Sequence, residues 1–145
     1  MNIYIQEGNI VQVVVLSLQI PEFVNPYPAT IYEEKMKDKK HLILLAYVEN
    51  HAVGFKVGYE RMQDGSFYSW MGGVLPAFRK KGIAKQLAIA QHTWAKAQGY
   101  QKIRFKTRNC HRNMLLMAIS DGFQIIDVEP KEQVEEYRIW LEKAL

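Results

Sequence analysis

Gly72-Gly73-Val74-Leu75-Pro76-Ala77-Phe78-Arg79-Lys80-Lys81-Gly82-Ile83-Ala84 is the stretch around which the rest of the chain is organised. An aromatic, strand-like segment, Ser66 to Met71, runs into it, and a strongly periodic helix leaves it and ends near Gly99. Arg79, Lys80 and Lys81 therefore crowd the start of a helix. That end carries roughly half a positive charge and favours anions by about 0.3–1 kcal/mol each. Three cations there are a local cost unless an anion joins them. With an anion bound, the free N–H groups, the dipole and the side chains all act in one direction. The spacing points to a phosphate-binding turn between a strand and a helix; a solvated basic loop is the competing reading.

Upstream, His41 to Val48 is a nearly unbroken apolar run of strand length, as expected of a strand buried on both faces. Glu49-Asn50-His51 turns the chain, Ala52 to Glu60 returns, and Asp64-Gly65 is a hairpin signal leading into Ser66–Val74. The middle of the chain is thus a three-strand antiparallel meander, and Pro76, which cannot donate to a ladder, ends or splays its third strand. Further back, residues 2–6 suit a first strand. Ile10 to Gln19 admits two readings: its valines favour a strand, yet Asn9, Gln12 and Gln19 gather on one side of a helical wheel, which tips the balance to helix. Pro21 to Pro28 is an irregular loop, and Thr30-Ile31-Tyr32-Glu33 reads as a capping box opening a short helix to about Lys37.

Downstream, Ile83, Leu87, Ala90, Trp94 and Ala97 form one stripe of the helix, with Lys85, His92 and Lys96 opposite. Lys102 to Arg108 alternates as a strand, and because it follows strand and helix it should lie parallel to the third meander strand. Asn109 to Asp121 reads as a helix with Met114, Met117 and Ala118 on its apolar side, and Phe123–Val128 as a strand. Val134 to Leu141 is rich in helix formers, yet Tyr137, Ile139 and Leu141 alternate; the residues alone leave it open.

The chain has 145 residues, 48% of them apolar, which suits one domain over 1–145 of ordinary composition. A net charge of +4 fits an anionic small ligand and is too weak to argue for nucleic acid. Nucleic-acid binding through Arg79–Lys81 with Arg104, Lys106 and Arg108 is accordingly the weakest reading. The lone Cys110 excludes an intrachain disulfide, and neither a signal peptide nor a bilayer-length apolar run is evident, so the expectation is a cytoplasmic protein without membrane partners. His41, His51, His92 and His111 lack zinc spacing, Cys110-His111 are adjacent and diverge on a helix, and Arg79-Lys80-Lys81-Gly82 lacks the P-loop frame. No metal is expected.

Val74-x-Pro76-x-x-Arg79-x-x-Gly82-Ile83-Ala84 closely resembles the acyl-CoA signature of the GNAT N-acetyltransferases, Val-x-Pro-x-x-Arg/Gln-x-x-Gly-x-Gly/Ala at a strand–helix junction. Asn109, Asn113 and Gly122-Phe123 match the family's Asn…Asn…Gly-Phe pattern, so the likeness covers Gly72 to Phe123 sharply and most of the chain in element order. The resemblance implies an α+β fold: a mixed central sheet, antiparallel meander plus parallel strand–helix–strand, splayed at the cofactor site and flanked by helices. It favours helix for Ile10–Gln19 and strand for Tyr137–Leu141. It implies acetyl-CoA as co-substrate, with Gly73, Val74 and Leu75 beside the pantetheine arm. The pyrophosphate would lie on the backbone of Arg79, Lys80, Lys81, Gly82, Ile83 and Ala84, and Asn109 and Asn113 would help to hold the cofactor. Helix capping is an equal reading for Asn109.

The activity implied is acetyl transfer to a primary amine of a small molecule or peptide. Glu22 in the proline loop is the favoured base and Glu60 the second candidate. A backbone N–H near Met71–Val74 would polarise the thioester carbonyl, and Tyr68 and Trp70 would wall the acceptor. Many members carry a Tyr that protonates the leaving thiolate four residues before Gly-Phe; here that position is Ala118, which leaves Tyr68, water or an unprotonated thiolate. A catalytically weak CoA-binding or partner-binding module is the alternative. A C-terminal strand edge, if exposed, would make room for a homodimer.

Overall fold

A computed structural model describes all residues, Met1–Leu145. Seven strands form one sheet in the order β1-β2-β3-β4-β5-β7-β6: β1 Ile3–Glu7, β2 His41–Val48, β3 His51–Tyr59, β4 Ser66–Val74, β5 Lys102–Arg108, β6 Gln124–Glu129 and β7 Arg138–Ala144. All neighbours are antiparallel except β4 and β5, which the crossover helix α3 (Ile83–Ala97) joins in parallel. Helices α1 (Ile10–Ser17) and α2 (Ala29–Met36) pack on one face, with Val13, Leu16, Tyr32 and Met36 against Leu45, Phe55 and Val57. On the other face α3 and α4 (Arg112–Ser120) bring Ile83, Leu87, Ala95 and Ala118 to Leu44, Val53, Phe67 and Ile103. The α+β mixed sheet expected from the sequence is the observed architecture.

The meander falls where the sequence puts it, with a two-residue turn at Glu49 and Asn50, both at positive φ (49° and 69°). The undecided C-terminal piece divides: Val134–Glu136 is a single helical turn and β7 follows. Both signals in that stretch were real, one after the other.

Four expectations fail, each for a physical reason. The capping box stands one helix earlier: Asn9 Oδ1 accepts from Gln12 N–H at 3.0 Å and Gln12 Oε1 from Asn9 N–H at 2.9 Å. Thr30 lies inside α2, whose first flanking residue is Pro28 with no side-chain cap. On α3 the buried line is Ile83, Leu87, Gln91 and Ala95, so Ala97 is exposed and Gln91 lies in the core. Helix α4 touches the core through Leu115 and Ala118 only, leaving Met114 and Met117 51% and 64% exposed, on the outward side. Finally, β7 lies between β5 and β6, so the free sheet edges belong to β1 and β6 rather than to the C-terminal strand.

Candidate active site

The ladder between β4 and β5 is short. Ser66, Phe67 and Tyr68 pair with Lys102, Ile103 and Arg104, and there the pairing stops, although β4 runs on to Val74 and β5 to Arg108. The register of β4 against β3 jumps at the same point, Gly58 facing Ser69 and Val57 facing Met71, so Trp70 is an extra residue. A bulge of this kind bends and twists its strand, which peels β4 away from β5. Gly72, in the middle strand of the sheet, is exposed as a result. The bulge also changes which side chains share a face. Tyr68, Trp70 and Met71 all meet the α1–α2 core, while Val74 meets the α3 core. Gly73 has a specific reason to be glycine: a Cβ there would lie 2.8 Å from Ile20 Cδ1 and 3.1 Å from the Phe23 ring, where the proline loop crosses the strand.

At the C-terminal end of β4 the chain makes one helical turn (Pro76–Phe78) and enters α3 through two left-handed residues, Lys80 (φ 62°) and Gly82 (φ 81°). Alternation of this sort aims successive N–H groups into one concavity. No protein group accepts from the N–H groups of Lys80 through Lys85, since the first helical bond runs from Gln86 to Gly82 and no side chain caps the end. A Cβ at Gly82 would meet nothing within 4 Å. The glycine is therefore needed for its backbone conformation and for open access, not to avoid a clash within the protein.

Arg79 and Glu22, expected in different roles, are partners of each other. A guanidinium nitrogen lies 2.6 Å from Glu22 Oε2, and Arg79 Nε donates to Val74 O at 3.1 Å. Arg79 thus ties the turn to the proline loop and to the end of β4, which leaves Lys80 and Lys81, exposed and without ion pairs, as the unpaired charges at the nest. Glu60 lies away from the gap beside Tyr100: burial, and then Glu60, push that hydroxyl up to about 12.

Tyr68 is buried at the last rung of the β4–β5 ladder. Burial chiefly pushes its hydroxyl up to about 12 against the opposing pull of Arg61, so Tyr68 stays protonated at neutral pH and can donate a hydrogen bond. Its ring belongs to a wall wider than the Tyr68–Trp70 pair. Trp70 stacks on Tyr27 at 5.9 Å and meets Tyr32 at 5.1 Å and Tyr59 at 5.5 Å, and Tyr68 meets Trp140 at 5.6 Å. Asn109 does not cap α4, whose flanking residue is His111; its amide donates to Val134 O at 3.2 Å and so fastens the end of β5 to the turn before β7. Asn113 is exposed in the first turn of α4, and its side chain bonds no protein group.

The sequence reading missed Lys56. It points from β3 to the α3 side opposite Gly72, with Nζ 3.8 Å from where a Gly72 Cβ would stand, and has no ion-pair partner. Desolvation brings its pKa down to about 8. His92 on α3 lies against Phe123 at 5.9 Å, and burial, then Lys56 and Lys143, lower it to about 4, with Asp121 opposing. A lysine inside the apolar, glycine-spaced strand Ala52–Tyr59 was the signal available.

A gap in a mixed sheet, flanked by a strand with free backbone edge and closed by a nest of N–H groups at a helix start, has the room and the donors for an extended, phosphate-bearing ligand. The acetyltransferase (GNAT) family model matches residues 13–118, and the chain belongs to that family. Solved structures agree on the fold. The ribosomal-protein-S18-alanine N-acetyltransferase of Escherichia coli superposes with a TM-score of 0.83 at 11% identity, over 99% of this chain and 94% of that one. A GNAT acetyltransferase of Elizabethkingia anophelis, solved with acetyl-CoA bound, gives 0.76 at 22% identity, over 99% of each chain. The PaiA N-acetyltransferase of Thermoplasma acidophilum, in complex with coenzyme A, gives 0.75 at 15% identity, over 100% of each. No curated protein matches the sequence.

Proposed function

We propose that this chain transfers the acetyl group of acetyl-CoA to a primary amine of a small molecule or peptide. The observation that carries the reading is the gap itself: β4 leaves β5 after Tyr68, and the N–H groups of Lys80 to Lys85 meet no protein acceptor at its mouth. Those N–H groups, with Lys80 and Lys81, fit a pyrophosphate. The backbone edge of Gly73, Val74 and Leu75 fits the amides of a pantetheine arm, with Ile83 and Ala84 at the base of the turn and Asn109 and Asn113 across the gap. Acetyl-CoA would supply the activated thioester; a C–N bond forms, the C–S bond breaks, and the amine loses a proton as the sulfur gains one.

The protein's own groups then divide the work. An N–H between Met71 and Val74 polarises the carbonyl. Tyr68 Oη and Lys56 Nζ each hold a proton beside the gap, on opposite faces of the sheet, and either can serve where the resembling family has a Tyr and this chain has Ala118. Glu22 receives the amine's proton once Arg79 gives up the oxygen it holds. A protein working in the cytoplasm is the accompanying expectation, and no helix is long and apolar enough to cross a membrane.

Thermal unfolding with and without acetyl-CoA tests the cofactor. At about a hundred times its dissociation constant the ligand should add roughly 2.7 kcal/mol, and an unmoved melting curve at millimolar acetyl-CoA and CoA would refute the reading. For the base, Glu22→Gln should lower turnover while leaving the acetyl-CoA melting shift in place; equal turnover through the neutral pH range would clear Glu22 of that role. A melting shift with no CoA release over a broad amine panel would favour the non-catalytic alternative.

A further inference from the structure

The buried cluster beneath α1 and α2 draws on β2, β3 and β4, and from beyond β4 only on Trp140. The same face of β5, β7 and β6 continues past the gap as a shelf. Cross-strand register sets Arg104, Lys106 and Arg108 beside Glu142, Trp140 and Arg138 in turn, with Glu129 opposite Arg138. Most of these charges are used. Arg104 holds Asp64 at 2.7 Å and Glu142 at 2.9 Å, and Arg108 and Arg138 share Glu136 at 3.7 and 3.6 Å. Glu129 accepts from Trp140 Nε1 at 2.8 Å, and Asp127, across from Trp140, accepts from Val128 N–H.

Arg61 and Lys106 are left without an ion pair. Both lie over the Trp140 ring, at 5.3 and 5.2 Å from its centre, and Arg61 lies 4.9 Å over Tyr68 as well. Burial, and then Arg61, hold the Lys106 ammonium below the usual lysine range; Glu129 opposes this, while Arg138 and Lys131 add to it. Two cations are thus held on the ring of one tryptophan, near enough for Arg61 to disfavour the charge on Lys106. Cation–π attraction offsets part of their repulsion, and an anion between them would remove the rest. The aromatic floor begins at Tyr68, the rung at which the gap opens. Lys106 is only two residues beyond the last paired residue of β5, about 7 Å along the strand.

We infer that Arg61 and Lys106 form the anion subsite of the acceptor, so that the amine acetylated here carries a carboxylate near its nitrogen, as an amino acid or a peptide with an acidic residue beside the amine does. The inference rests on the acetyl-transfer reading above. It turns around what the aromatic wall alone suggests: Tyr68 and Trp140 would suit a polyamine, but cations of the protein already lie over both rings and repel one.

The test uses the full chain saturated with CoA, whose own binding is established first by the melting shift. Binding calorimetry then compares amino acids with their carboxamides, acidic with neutral N-terminal dipeptides, spermidine as the cationic arm and phosphoethanolamine as the phosphate arm. Carboxylates should outbind their carboxamides by roughly tenfold to a hundredfold, the worth of a charge-assisted pair. Arg61→Gln and Lys106→Gln should each remove most of that ratio and raise KM far more than they lower kcat, and Arg61→Lys should restore part of it. Equal binding of carboxylate and carboxamide, preference for spermidine or phosphoethanolamine, no binding by any arm, or a ratio that survives both Gln variants would each overturn the inference while leaving the cofactor reading intact. Failure to bind CoA would remove both. The dipeptide arm separates a peptide acceptor from a free amino acid.

Discussion

The two sides of the gap are built from different material. On the α3 side the site is backbone: two left-handed residues, unpaired N–H groups from Lys80 to Lys85, and an exposed glycine in the middle strand. On the α1–α2 side it is side chain: Tyr27, Tyr59, Tyr68, Trp70 and Trp140 in ring-to-ring contact, with Arg61 and Lys106 over Trp140. Backbone sites need particular residues at fixed local spacing, because φ, hydrogen bonding and helix entry are set within a few positions. Side-chain sites gather residues that the sheet register, not the local sequence, brings together. One half can therefore be tied to a ligand by pattern, and the other only by geometry.

The sharpest way to break this contrast is Gly82→Val. Gly82 has φ 81° and open space around it, so the valine harms by backbone strain rather than by collision within the protein. A β-branched residue in the left-handed region costs about 1–3 kcal/mol and would turn the N–H groups out of register. Acetyl-CoA affinity should fall by about a hundredfold or more, read by calorimetry against a Gly82→Ala variant that loses less. Near-normal affinity would show that the α3 side is not a backbone site.

The halves should also differ in their response to pH. Lys56 and His92, on the α3 side, have pKa values lowered to about 8 and about 4 from 10.5 and 6.5. In each window the unfolded chain binds more protons than the folded one, so stability rises with pH from about 4 to 6.5 and again from about 8 toward 10.5. Tyr32 and Tyr68, on the other side, are raised from 10.0 to about 12 by burial, so what they contribute is intact below 10 and is lost as pH climbs toward 12. Lys56→Met should flatten the rise above pH 8 and add about 2 kcal/mol at neutral pH, and His92→Gln should flatten the acid limb by a similar amount. Denaturant midpoints measured across pH decide it: an unchanged alkaline limb in Lys56→Met would place that ammonium in water.

What could be read in advance follows the same division. The meander, the parallel β4–α3–β5 unit and the turn at Gly82 were legible because each writes a local signature: apolar runs of strand length, an Asp-Gly turn, one helical stripe, a proline and a glycine at fixed offsets. The Glu22–Arg79 pair was not, since nothing local says that the proline loop crosses β4 at Gly73. Neither was the placement of Trp140 beside Lys106, which depends on β7 entering the sheet between β5 and β6. Lys56 was visible as an odd residue but not interpretable, because its meaning comes from a gap on the far side of the neighbouring strand that a bulge creates.

The smallest effect expected concerns the helices that carry the proline loop. A Thr-x-x-Glu pattern stands at Thr30 and an Asn-x-x-Gln pattern at Asn9, and only the second is a reciprocal cap. The difference lies in what precedes each. Asn9 has extended backbone (φ −130°, ψ 169°) and is free to turn its side chain onto Gln12 N–H, whereas Pro28 starts α2 before Thr30 is reached and puts Thr30 within the first turn. Asn9→Ala should therefore cost about 1 kcal/mol, while Thr30→Ala should change stability by at most about 0.5 kcal/mol and in the favourable direction, since alanine is the better helix former. Because α1 leads to Ile20 and Phe23 against Gly73, the Asn9 variant should loosen the α1–α2 side first: amide exchange in the proline loop should quicken while the bonded amides of α3, from Gln86 onward, keep their protection. Equal losses from both substitutions, or an equal quickening of exchange at Gln86 to Ala90 and in the loop, would mean that the two halves of the gap are held as one unit.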